Sequence, residues 1–225
     1  MVELKNITVI YNHGKTNEKI GLKNFNLKIN SGDFITIIGS NGAGKSTLFK
    51  VLMGLVKPLK GDYIINNKNM NNATPFQLSK MISIVYQNPD MGVFPDLTIK
   101  ENLILGAKKG LRFFKFGKLP SLDLLKRLDM GLEKRLNTKV KELSGGQKQA
   151  LALILATMSK PKLLLLDEHT AALDPRVTEK IMELTLRINK ELNITTLMIS
   201  HNTLVISKYC DKIIRIEDGE IVHAA

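Results

Sequence analysis

One cysteine, Cys210, is all the thiol chemistry this chain has, which excludes an internal disulfide and suits a reducing compartment. No stretch approaches the ~20 consecutive apolar residues that a membrane helix needs. Met1-Val2-Glu3-Leu4-Lys5 runs directly into a strand pattern, so no secretory signal is expected. Repeats, low-complexity tracts and long linkers are missing as well, and 225 residues can bury a substantial core. Acidic excess is also absent: 33 Lys and Arg against 21 Asp and Glu leave a formal net charge of +12. Strong basicity can mark nucleic-acid binding. Here, however, the lysines are spread along the chain among abundant Asn and Ile, as an AT-rich coding bias would also leave them. The one concentration is 108–118, where basic residues interleave with Phe113, Phe114 and Phe116. It could grip RNA, face a partner or anionic lipid, or simply be a solvated loop, and its place after Gln87 favours the partner or lipid. No nucleic-acid partner is expected.

What is present begins with Gly39-Ser40-Asn41-Gly42-Ala43-Gly44-Lys45-Ser46, which fits the phosphate-loop pattern G-x-x-x-x-G-K-[ST]. The β-branched run Phe34 to Ile38 before it reads as a buried strand, and Ser46 to Leu52 after it reads as the opening of a helix. Glycines let backbone N–H groups close around phosphates at a helix N-terminus, where the dipole favours anions. Lys45 adds a point charge and Ser46 a hydroxyl for Mg²⁺; Thr47 continues the site. A glycine turn that binds nothing would not need this strand–loop–helix setting. The pattern predicts a nucleoside triphosphate site.

Lys162-Leu163-Leu164-Leu165-Leu166-Asp167-Glu168 is a continuous apolar run ending in two carboxylates. It suits a parallel strand buried on both faces, with its acidic end at the ligand-binding edge of the sheet. Asp167 is placed to hold Mg²⁺, directly or through water, and Glu168 to polarise an attacking water as general base. Taken alone, the pair could also be the acidic N-terminus of a helix. Leu143-Ser144-Gly145-Gly146-Gln147 offers a second anion site from a hydroxyl, backbone N–H groups and a helix start. On its own, Ser-Gly-Gly is only a loop in most proteins.

These segments, followed by Ala172-Leu173-Asp174 and Ser200-His201-Asn202 in that order, resemble the ATPase subunits of ABC transporters over the whole chain. The resemblance implies a head-to-tail dimer of two copies, each ATP lying between the phosphate loop of one and Ser144, Gly145, Gly146 and Gln147 of the other. It also implies that Tyr11 stacks on adenine, Gln87 contacts Mg²⁺ and water, and the switch residue His201 reads the γ-phosphate. ATP and Mg²⁺ are the implied cofactors. The implied partners are membrane permease subunits, an extracytoplasmic substrate-binding protein and a second copy of the chain. Its place would be the cytoplasmic face of the membrane, as a peripheral subunit. His169 departs from the proline usual after the catalytic glutamate, and Ala171 from a frequent serine. Gln147-Lys148-Gln149 stands where an arginine-containing helix start is commoner. These variants look like a bacterial subgroup that pairs with tryptophan/tyrosine-type binding proteins. His169 is expected to be a turn residue without a catalytic part.

The expected fold is α/β: a phosphate-loop NTPase core with a largely parallel sheet, an N-terminal antiparallel β-subdomain and an inserted α-helical subdomain. A single ABC ATPase domain is expected to cover 1–225, with 1–87 and 161–225 forming the ATP-binding core and 88–160 the helical signature subdomain. Strands are expected over 2–10, 25–29, 63–65, 82–86, 162–167, 194–200 and 212–217. Helices are expected over 75–79, 98–105, 121–128, 145–158 and 175–192. Function follows as ATP hydrolysis that powers import of an amino acid or similar solute. An ABC exporter or cell-envelope regulator would have the same ATP site. A soluble ABC ATPase on DNA or the ribosome lacks support, since no heptad run or second ATPase domain is present.

Overall fold

The structure is a computed structural model and describes residues 1–107, 125–126, 129–210 and 212–224. The first half runs β1 (Val2–Tyr11), β2 (Lys19–Ile29), β3 (Phe34–Ile38), α1 (Lys45–Leu52), β4 (Lys60–Ile65), β5 (Lys68–Asn69), α2 (Pro75–Leu78), β6 (Ile82–Val85) and α3 (Ile99–Gly106). The second runs α4 (Gly145–Met158), β7 (Leu163–Asp167), α5 (Pro175–Leu192), β8 (Thr195–Ile199), α6 (Thr203–Tyr209), β9 (Lys212–Glu217) and β10 (Glu220–Ala224).

Two sheets result. A four-stranded antiparallel sheet has the order β2-β1-β4-β5, and a six-stranded sheet has the order β10-β9-β3-β8-β7-β6. In the larger sheet β9, β3, β8, β7 and β6 are all parallel, with β10 antiparallel at one edge. The leucine run explains why β7 sits inside it. Leu163 and Leu165 belong to an apolar cluster shared with β1, β2 and α1. Leu164 and Leu166 point the other way, into a cluster shared with α3, α4 and α5. All four are buried, so period-2 alternation gives this strand two apolar faces.

Helix ends are written into the sequence more clearly than strand ends. Thr74 with Gln77, Thr98 with Glu101, and Ser144 with Gln147 each form a reciprocal capping box at the start of α2, α3 and α4. Asp174 caps α5 through Val177 N, and Asn193 ends that helix in the left-handed region at φ 48°. Expected elements and observed ones agree for α4, α5 and β9 to the residue. The antiparallel strand β2 starts at Lys19, earlier than expected, because it pairs with β1 as far as Tyr11. The strands β5 and β10 and the helix α6 lie in stretches the sequence left as loop. Among the expected helices, 121–128 lies outside the described residues apart from helical Leu125 and Lys126, and the basic 108–118 segment lies wholly outside them.

Asn102, only 1% exposed on α3, holds the turn before that helix together. Its side chain accepts from Phe94 N at 2.8 Å and donates to Phe94 O and Thr98 O, each at 3.0 Å. Asn102→Ala should strand the Phe94 groups and lower stability by about 2 kcal/mol, the range for unpaired buried polar groups. A urea midpoint unchanged from the parent would contradict this bracing role.

Candidate active site

At the C-terminal edge of the parallel sheet the register aligns three strands. Ile37 of β3 lies beside Ile199 of β8, and Ile199 lies beside Asp167 of β7. The loop after β3 therefore opens next to the carboxylates that end β7. This is where open α/β sheets bind ligands. A cleft of about 340 Å³ lies there, lined by Tyr11, Lys19, Ile20, Gly21, Asn41, Gly42, Gly44, Lys45, Ser46, Thr47, Lys50, Asp167, Glu168 and Ile199.

The loop from Gly39 to Gly44 can exist only with glycine at its bends. Gly39 has φ 152°, Gly42 φ 86° and Gly44 φ 114°, all in the region that side chains rarely adopt. A Cβ on Gly39 would overlap the Ile216 carbonyl oxygen, and one on Gly44 would lie 2.6 Å from Gly21 O. The loop is pinned from behind by the β9–β10 turn: Gly219 N donates to Ala43 O at 2.8 Å, and Gly219 O accepts from Lys23 N. Gly44 is the N-cap of α1, so the helix N-terminus opens into the cleft without a side-chain cap.

Lys45 is almost enclosed. Its Nζ donates to Gly39 O at 2.7 Å and Ser40 O at 2.8 Å, so the loop wraps its own cation. Burial pushes the Lys45 pKa down, against the opposing pull of the Glu168 and Asp167 carboxylates. Asp167 moves the other way: burial raises its pKa, Glu168 adds to this, and Lys45 counters it. Glu168 takes a left-handed backbone at φ 49°, unusual for a residue with a side chain. From there its Oε1 lies 3.1 Å from His201 Nε2.

Tyr11 lines the same cleft from the end of β1. Its hydroxyl donates to Thr47 Oγ1 at 3.2 Å, which orients the ring over the start of α1. Gly21 makes room, since a Cβ there would be 2.8 Å from Tyr11 Cε2 and 2.9 Å from Thr47 Cγ2.

Of the sequence-predicted residues, Tyr11, Asn41, Gly42, Gly44, Lys45, Ser46, Thr47, Asp167 and Glu168 line the cleft. Gly39 and Ser40 touch it through Lys45, and Ala43 is buried behind it. His201 joins it through Glu168. Gln87 is exposed and is not part of the cleft wall. Ser144, Gly145, Gly146 and Gln147 are likewise outside it: Ser144 Oγ accepts from Gln147 N, and Gln147 Nε2 donates to Met130 O. Lys19, Ile20, Gly21, Lys50 and Ile199 also line the cleft and were not expected there from the sequence. One signal was available, since Lys50 lies one turn after Thr47 on α1; Lys19 enters only through its observed cross-strand pairing with Tyr11.

A profile of the family described as "ABC transporter" matches residues 22–171. The chain belongs to the ABC transporter family. It is an ABC-type ATPase, an ATP-binding cassette. It is 39% identical over 227 residues to a tyrosine transport ATP-binding protein of Clostridioides difficile, covering 99% of this chain and 90% of that one. A methionine import ATP-binding protein, MetN 1 of Bacillus cereus, is 34% identical over all of this chain, which spans 64% of that relative's length. A dimeric ATP-binding cassette in a post-hydrolysis state, bound to ADP and Pi, superposes with a TM-score of 0.83 at 34% identity, covering 100% of this chain and 98% of that one. The antiparallel sheet beside a phosphate-loop α/β core is the fold of this cassette family.

His169, next to Glu168, is 2% exposed, and burial pushes its pKa down to about 4. An unfolded chain protonates this imidazole near its ordinary value of 6.5. Between pH 6.5 and about 4 the unfolded state thus binds the extra proton, and this site's stability contribution is lost as pH falls. Between pH 7.5 and 5.0 the loss should be about 2 kcal/mol. Urea unfolding of the nucleotide-free chain at both pH values should show a steeper decline for the parent than for His169→Leu. Equal declines would refute the buried neutral imidazole.

Proposed function

We propose that this cassette is the ATP-hydrolysing subunit of an importer for an amino acid or a closely related small solute. The observation that carries the reading is the meeting of the Lys45 loop with Asp167 and Glu168 in one cleft at the sheet edge. The backbone N–H groups at the start of α1 and the Lys45 ammonium would take the β- and γ-phosphates. Tyr11 would stack on the base, with the Thr47 hydroxyl fixing its ring. Glu168 would accept the proton of the attacking water, with His201 holding its carboxylate and meeting the γ-phosphate.

Mg²⁺ fits the donors that are present. Ser46 and Asp167 offer hard oxygens to the same cleft, and among the described residues no cluster of three or more His, Cys, Asp and Glu forms a cage of its own. One or two protein oxygens completed by phosphates and water is how Mg²⁺ is commonly held. Bound there, it would neutralise charge on the phosphates. Gln87, exposed at the end of β6, would join when the site closes.

The signature residues support a two-copy arrangement. Ser144 and Gly145 are exposed at the N-terminus of α4, outside the cleft of their own chain; the Ser144 N–H is held by Gln147 Oε1, which leaves the Ser144 hydroxyl and the Gly145 N–H to meet a second copy. Among the described residues no helix is long and apolar enough to cross a membrane. Membrane permease subunits would therefore supply the pathway, with this chain peripheral on the cytoplasmic side and an extracytoplasmic binding protein delivering substrate. Import of an amino acid follows from likeness to the tyrosine and methionine relatives. Residues 1–87 with 161–225 would act as the nucleotide-binding core, and 88–160 as the helical part that carries the signature.

Glu168→Gln should keep ATP binding and lose steady-state hydrolysis by about two to four decades, the worth of general acid–base catalysis. Hydrolysis within a factor of three of the parent would remove Glu168 from this role. Lys45→Ala should abolish nucleotide binding, whereas Ser144→Arg should leave the monomer's affinity intact and prevent the ATP-bound dimer in size-exclusion chromatography. Equal loss of affinity in both variants would argue against a signature acting between copies.

A further inference from the structure

His169 lies in the turn that joins β7 to α5, and the reaction above gives its imidazole nothing to do. Its Nε2 is 3.4 Å from Thr185 Oγ1, midway along α5. The single hydroxyl proton of Thr185 is already committed to Ile181 O at 2.7 Å. Thr185 can therefore only accept from the imidazole, which fixes the tautomer with its proton on Nε2. Nδ1 is then a bare acceptor, buried and without a hydrogen-bond partner. A leucine of similar size would fill this space without the cost of an unpaired buried nitrogen. Among the described residues, the one hydrogen bond the imidazole adds is the tie to α5.

That tie starts one residue from Glu168. The left-handed backbone of Glu168 is held on one side by Glu168 N donating to Ile199 O at 3.1 Å and on the other by Ala171 N donating to Glu168 O at 2.9 Å. Neither bond links this turn to a helix. The His169–Thr185 bond does, and α5 is a long helix capped at both ends and packed by Ile181, Met182, Leu184 and Ile188. We propose that His169 is a positioning residue: by fastening the turn after β7 to Thr185 of α5, it keeps Glu168 in the strained conformation from which its carboxylate reaches His201. This rests on Glu168 being the general base.

The test compares ATP hydrolysis by His169→Leu, Thr185→Val, Thr185→Ser and the double variant His169→Leu/Thr185→Val, with nucleotide affinity and thermal midpoint measured on each. His169→Leu and Thr185→Val should each lower kcat about tenfold while KM for ATP and nucleotide affinity stay within twofold. Thr185→Ser keeps the acceptor oxygen and should restore most of the rate. The double variant should be no slower than either single, since both remove one shared bond. Parent-like kcat in Thr185→Val and His169→Leu would overturn the proposal, as would losses that multiply in the double variant or that track lost affinity. Should His169→Leu fold poorly, the Thr185→Val and Thr185→Ser pair decides alone. Glu168→Gln separates the two layers: its retained hydrolysis would overturn both readings, while its expected loss beside a parent-like Thr185→Val would overturn only the positioning.

Discussion

β7 has no solvent face. Leu163 and Leu165 press against the antiparallel sheet and α1, Leu164 and Leu166 against the helices on the other side, and each contributes about 2 kcal/mol by leaving water. The first position along this strand where a carboxylate can meet solvent is its end, at Asp167 and Glu168. Parallel pairing with β8 then sets that end level with the close of β3, where the phosphate loop begins. Packing of the strand thus decides where the acids lie, and the loop glycines decide how near the backbone can come to them.

The electrostatics of the cleft follow from the same burial. Lys45 is surrounded by loop carbonyls and faces two acids, so its charge is partly desolvated and partly answered within the chain. Asp167 and Glu168 are adjacent carboxylates, and their mutual repulsion helps raise the Asp167 pKa. A polyanion accompanied by a divalent cation would suit both halves of this field: the phosphates replace carbonyls around Lys45, and the cation relieves the acids. The cleft is arranged for a charge pattern more than for a shape.

Much of this was legible in the residues. The phosphate loop, the leucine run and its acidic end are local patterns with strong backbone consequences, and the α4 and α5 boundaries follow from Ser144 and Asp174 as caps. The capping boxes at Thr74, Thr98 and Ser144 were equally readable signals. What could not be read was pairing. β5 is two residues long, and β10 exists as a strand because β9 offers it an edge. The early start of β2, which brings Lys19 opposite Tyr11 and into the cleft, depends on β1 as a template. The burial of His169 under α5 is tertiary too: a turn position in sequence carries no sign of the helix that will cover it. Gln87 stands apart from the cleft of its own chain, a placement that order along the sequence does not specify, whereas the separation of the signature residues is what the resemblance implied.

The bond from Gly219 to Ala43 has a bearing on biosynthesis. Ala43 leaves the ribosome long before the β9–β10 turn that supports it, and until Gly219 arrives neither the back of the phosphate loop nor Lys23 beside it has its final partner. Gly39 is in the same situation, since the wall it packs against is the Ile216 carbonyl. A nascent chain that already contains every residue of the loop therefore lacks the scaffold that gives the loop its curvature. The ability to hold a nucleotide should arrive late and abruptly in synthesis, after the second sheet has received β9, so partly made chains would not compete with finished ones for ATP.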